Sequence, residues 1–157
     1  MSDRNLPTQQ SLLDRLIDYE PEVSREPVRR RAGDYRQLLA SVRRDIESLL
    51  NTKSFAPSQT AEYRELQDSL FVYGLPDFTA ESPRSDSVRD RIREEVEKAV
   101  RTFEPRIANV SVTYQKDDQS FRTLGFRITG LLMVDPAPEP VTFDTMCDIN
   151  RGEFRVT

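Results

Sequence analysis

Acidic side chains are abundant in this sequence, and they are almost the only groups in it that could do chemistry. There are 27 Asp and Glu residues. Two carboxyl groups at a defined separation, one with its pKa raised by an apolar pocket, would suit glycoside hydrolysis. With so many carboxylates some pair always satisfies a spacing argument, so the signal has no specificity. Asp144 and Asp148 flank Met146 and share the solvent side of an alternating segment, which suits exposure and not a buried acid. Tryptophan is absent, leaving eight Phe and five Tyr to build any sugar platform. Histidine is absent too, which removes the commonest general base, the commonest zinc ligand and every Ser-His or Cys-His pair. The single cysteine, Cys147, alternates with apolar positions and reads as a small buried hydrophobe. No catalytic residue, metal ligand or cofactor is expected.

Two charged features remain. In Glu104-Pro105-Arg106, Pro105 stops a helix and biases Glu104 away from helical geometry, and Arg106 lies beside the last helical carbonyls, where positive charge is favourable. Read as a partly exposed pair, Glu104 and Arg106 contribute only about 0–1 kcal/mol to stability. Arg25, Arg29, Arg30 and Arg31 read either as a solvated linker or as a site for phosphate or an acidic partner. The net charge of −4 argues against a dedicated nucleic-acid binder.

The elements that hold these residues can be traced along 157 positions, enough for one domain with a modest core. No apolar run approaches a membrane span, and Met1 to Gln10 lacks the apolar stretch of a signal peptide, so a cytoplasmic location without membrane insertion is expected. Leu12, Leu13, Leu16 and Ile17 mark a short amphipathic helix, with Ser11 and Asp14 at capping-box spacing and Pro21 ending it. Glu20 to Gly33 is polar and reads as a linker. Residues 1–33 are therefore expected to form a docking helix and linker ahead of a domain over 34–157. The short helix needs a surface to pack on, and a neighbouring subunit is favoured over its own body.

Tyr35, Leu38, Leu39, Val42, Ile46, Leu49 and Leu50 predict a helix capped by Asp34 and closed at Asn51 and Thr52. Ala61 to Phe71 predicts a shorter one, ended by Tyr73-Gly74-Leu75-Pro76-Asp77. Val88, Ile92, Val96, Ala99, Val100 and Phe103 predict a third, starting near Ser87 with Asp90 as a second capping box. The period then becomes two. Val110 to Tyr114, Leu124 to Val134, Val141 to Ile149 and Phe154 to Val156 predict strands joined by short polar turns. The expected fold is α+β, with N-terminal helices packed on one face of a C-terminal antiparallel meander. Leu131 and Met133 oppose Leu132 and Val134, so the second strand ends apolar on both faces.

Five segments in this order carry a family resemblance: Ser11-Leu12-Leu13-Asp14-Arg15-Leu16, Glu47-Ser48-Leu49-Leu50-Asn51-Thr52, Tyr73-Gly74-Leu75-Pro76-Asp77, Phe103-Glu104-Pro105-Arg106 and Pro140-Val141-Thr142-Phe143-Asp144-Thr145. Together, over roughly Ser11 to Val156, the chain resembles TssE, the type VI secretion relative of a baseplate wedge protein from contractile-tail phages. The resemblance implies a structural baseplate subunit and no enzyme. The implied partners are other wedge subunits of the TssF, TssG and TssK type and sheath subunits of the TssB and TssC type, which interlock by exchanging strands. It also implies that Glu104, Pro105 and Arg106 hold the wedge together, either directly or by shaping their corner. The competing readings are a lysozyme-like peptidoglycan hydrolase, the label such proteins once carried, and a polyanion-binding adaptor using the linker arginines. The sheet over Leu124 to Val156 is expected to nucleate the sheath by strand addition, with the Glu104 to Arg106 corner close by and a final strand, Phe154 to Val156, too short to cover the length of a partner strand.

Overall fold

Two long helices and a four-stranded sheet make up most of the protein in a computed structural model that describes residues 16, 31–54, 63–67, 69–81, 85–115 and 123–157. Helix α1 spans Arg31–Asn51. Its periodic stripe is the reason it forms, and Leu38, Val42, Ile46, Leu49 and Leu50 are all buried. Each such side chain contributes about 1.5–3 kcal/mol when fully buried. The helix starts one turn earlier than expected, so Asp34 lies in its first turn and not at its cap, and Arg31 to Gly33 belong to the helix and not to the linker. Arg31 and Ala32 are good helix formers, which limits the cost of an extension that also takes in Gly33, at about 1 kcal/mol relative to Ala.

The short helix expected over Ala61 to Phe71 is instead α2, Arg64–Gln67, and a separate 3-10 turn, Leu70–Val72. Ser69 divides them. Its hydroxyl donates to the Leu66 carbonyl at 2.9 Å and accepts from the Phe71 amide at 3.3 Å, competing with the helical ladder. Helix α3, Asp86–Phe103, buries Ile92, Val96, Ala99 and Val100. Its N-cap is Ser85, so the capping box expected at Ser87 and Asp90 is not formed. The two serine hydroxyls lie 2.7 Å apart, and moving the start forward puts Asp86 in the first turn, where negative charge is favourable.

The strands are β1 (Ile107–Gln115), β2 (Thr123–Leu132), β3 (Glu139–Asp148) and β4 (Glu153–Val156), paired antiparallel in the order β1-β2-β3-β4. The meander expected from the short turns is the observed topology, and the fold is α+β with its long helices ahead of the sheet. Residues 124, 126, 128, 132, 141, 143, 147, 154 and 156 turn inward and meet the helical stripes. Ser111, Thr113, Arg127, Thr142, Met146 and Arg155 are exposed on the other face. The end of β2 is apolar on both faces as expected: Leu132 is buried, Met133 is 40% exposed, and Leu131 and Val134 are half-buried. A bulge in β1 between Ala108 and Ser111 was not legible in the alternation. Asn109 takes φ 53°, and Gly130 lies opposite, where a Cβ would stand 2.4 Å from Ile107 Cγ2.

Candidate functional site: an assembly corner and the edges of the sheet

Glu104 follows the last residue of α3, and Pro105 ends the helix as its missing N–H requires. Arg106 follows in the turn that leads into β1. Its Nε donates to Glu104 Oε1 at 2.7 Å, Nη2 to Asp45 Oδ2 at 2.7 Å and Nη1 to Ser41 Oγ at 3.1 Å. The Glu104 and Arg106 side chains are only 5% and 12% exposed. The pair is therefore buried, contrary to the partly exposed pair expected from sequence. Arg44 binds the other Asp45 oxygen at 2.9 Å, so charges alternate through Glu104, Arg106, Asp45 and Arg44. Burial alone would pull the Arg106 pKa down, but Glu104 and Asp45 outweigh it and hold the guanidinium above its ordinary value. Tyr73 packs edge-on to Phe103, its centroid 5.1 Å away, and burial with the Asp45 and Glu104 charges raises its pKa. Of the triplet, Pro105 alone is exposed. Ser41 and Asp45 were missed in the sequence; their only signal is a pair of polar residues one turn apart beside the apolar stripe.

Two more of the quoted segments meet each other. The Leu75 amide donates to the Thr52 carbonyl and the Ser54 amide to the Leu75 carbonyl, both at 2.8 Å. Lys53 Nζ lies 2.9 Å from Asp77 Oδ2, and this bond, helped by Thr79, lowers the Asp77 pKa to about 2. Gly74, at φ 106°, allows the close pass: a Cβ there would stand 2.3 Å from the Thr52 carbonyl oxygen.

The two outer strands are bordered by helix side chains. Along β4, Asn51 Oδ1 accepts from the Phe154 amide at 2.8 Å while its Nδ2 donates to the Phe154 carbonyl at 2.9 Å. One turn earlier, Glu47 Oε2 accepts from the Val156 amide at 3.0 Å. Along β1, Glu97 Oε2 accepts from the Val112 amide at 3.2 Å, and Arg101 Nη2 donates to the Val110 carbonyl at 3.3 Å. The inner strand β3 outruns β4. Asp144 exchanges both backbone bonds with Thr157, at 2.8 and 3.1 Å. Because groups alternate along a strand, the Thr142 N–H and C=O point to the same side, past the end of β4. Among the described residues no strand pairs with that side of Thr142.

The other predicted residues are scattered. Leu12, Leu13 and Ile17 lie outside the described residues; Leu16 is helical and 74% exposed. Arg25, Arg29 and Arg30 also lie outside, and Arg31 opens α1. Asp144 is half-buried on the outer face and hydrogen-bonded by Arg127 at 2.8 Å, which lowers its pKa, opposite to what a general acid needs. Cys147 is buried, and desolvation pushes its thiol up to about 12, so it stays protonated and unreactive. Among the described residues no cluster of three or more His, Cys, Asp or Glu could hold a metal ion.

Residues 36–137, from the first turns of α1 to just past β2, match the model of a family described as "Baseplate wedge protein gp25". No curated protein matches the chain. Among solved structures it is similar to a chain of "The baseplate complex from the type VI secretion system", with a TM-score of 0.50 and 19% identity, covering 73% of this chain and 97% of that one. That likeness supports the fold. The family match spans well over half of the sequence, and it takes in three of the five segments by which the chain resembles TssE. The chain belongs to the baseplate wedge protein gp25 family.

Proposed function

We propose that this chain is a non-enzymatic subunit of a type VI secretion baseplate that joins the wedge and nucleates the contractile sheath. Family membership supports the baseplate role. The partners proposed are wedge subunits of the TssF, TssG and TssK type and sheath subunits of the TssB and TssC type, assembled on the cytoplasmic side of a membrane. Among the described residues no helix is long and apolar enough to cross a bilayer. Within the wedge, residues 1–30, ahead of α1, supply the docking segment, with the Leu12, Leu13, Leu16 and Ile17 helix packing on a neighbouring subunit. Pro105 offers contact at the corner that the Glu104–Arg106 pair shapes.

The observation that carries the sheath role is the stretch of β3 ahead of Asp144, where among the described residues no strand pairs with the Thr142 N–H and C=O. An extended strand entering there finds the Thr142 N–H and C=O and the Pro140 carbonyl, continuing the line of β4. Strand addition at this step is a specific form of the expectation that the sheet over Leu124 to Val156 nucleates the sheath. Thr142→Pro removes the one outward donor of the step, at an edge position where proline is tolerated. Folding and baseplate capture should persist, while sheath assembly, followed with a fluorescent sheath subunit in cells, should fall at least about tenfold. Normal sheath formation with the folded variant would refute this mechanism.

A further inference from the structure

The outer strand on the other side of the sheet is β1. Its segment Asn109-Val110-Ser111-Val112-Thr113-Tyr114 carries no charge and no proline, and its β-branched and aromatic residues favour strand. Such a segment at a sheet edge is a template for pairing with another chain. Antiparallel self-pairing about Val112 would set Val110 opposite Tyr114 and Ser111 opposite Thr113, a symmetric and electrostatically neutral arrangement. By contrast β4 is short and carries Glu153 and Arg155 on its exposed face. Within β1, only the bulge at Asn109 discourages pairing.

Protection comes from α3, which runs antiparallel along the strand. Arg89 stacks on the Tyr114 ring at 5.5 Å, Glu97 holds the Val112 amide, and Arg101 holds the Val110 carbonyl. Glu97 is itself held by Arg101 at 2.5 Å and by Arg93 at 3.6 Å, so the guard is a connected set. We propose that Glu97 and Arg101 form an edge guard that prevents β1 from pairing with β1 of a second copy of this chain. The guard keeps free subunits apart before they enter an assembly.

The test compares wild type, Glu97→Ala, Arg101→Ala, the double variant and Glu97→Gln by sedimentation, with amide hydrogen exchange to locate the contact. Wild type should remain monomeric. The double variant should self-associate at least about tenfold more tightly, with concentration-dependent protection at Val112 and Tyr114. Glu97→Gln keeps an acceptor for the Val112 amide and should stay close to wild type. The Arg101 side chain is 63% exposed, so Arg101→Ala spares the fold and gives a weaker version of the same effect should Glu97→Ala unfold the chain. Folded variants as monomeric as wild type overturn the proposal. So does association without protection in β1, and so does a wild type already paired through β1.

Discussion

At the residue scale, the corner at Glu104 illustrates how burial changes the energetics of a charge pair. An exposed pair of this kind is worth about 0–1 kcal/mol. Here the Arg106 side chain is 12% exposed and bridges two carboxylates and a serine hydroxyl from two parts of the fold. Removing one partner leaves the other charges buried and uncompensated, typically at a cost of about 3–5 kcal/mol. Arg106→Ala should therefore lower stability in urea by about 3 kcal/mol or more and lower the thermal midpoint by roughly 10 °C. Glu104→Gln keeps a hydrogen-bonding acceptor and should cost less. A thermal midpoint for Arg106→Ala within a degree or two of wild type would mean that this corner does not hold the fold. A loss of wedge assembly in either variant must accordingly be read beside its melting curve, because these side chains are buried and hold the interior together.

At the element scale, the last helical turn of α1 acts on β4 as a neighbouring strand would. Asn51 satisfies both outward backbone groups of Phe154, at 2.8 and 2.9 Å, and Glu47 satisfies the Val156 amide at 3.0 Å. A strand of four residues, Glu153–Val156, has little ladder of its own and depends on these bonds. Asn51→Ala leaves a part-buried N–H and C=O without protein partners and should cost about 2–3 kcal/mol. Hydrogen exchange at the Phe154 amide should quicken while the α3 core stays protected. Asn51→Asp keeps the acceptor and loses the donor, so it should fall between wild type and alanine. Uniform acceleration across the molecule would instead mean that β4 opens only with global unfolding.

At the scale of the whole molecule, two helices border the two outer strands, and among the described residues no strand pairs with the outward side of Thr142 on β3. Asp77 and Asp144 have their pKa values pushed down by Lys53 and Arg127, and Glu104 is engaged by Arg106. Zymography on peptidoglycan should show no clearing by the wild-type chain, with Glu104→Gln run alongside. Clearing by wild type that disappears in the variant would revive the lysozyme-like reading.

The local periods of the sequence determined the parts. Apolar residues at helical spacing in Tyr35 to Leu50 and Val88 to Phe103, and alternation after Val110, defined two long helices, four strands and their inward faces. The short polar turns implied the meander, and the missing histidines together with the ordered segments pointed to a structural family member. These features are local, because 3.6- and 2-residue periods show which side of an element must leave water. Helix starts were less legible, since Ser85 and Ser87 are near-equivalent caps whose choice turns on small energies. What joins the elements was decided only in three dimensions. Arg106 meets Ser41 and Asp45 across 65 and 61 residues, and Asn51 meets Phe154 across 103. No local period encodes those meetings. A side chain finds a distant backbone group only after the packed core has set the angle and distance between helix and strand, and that same packing decides which strand edges a helix borders.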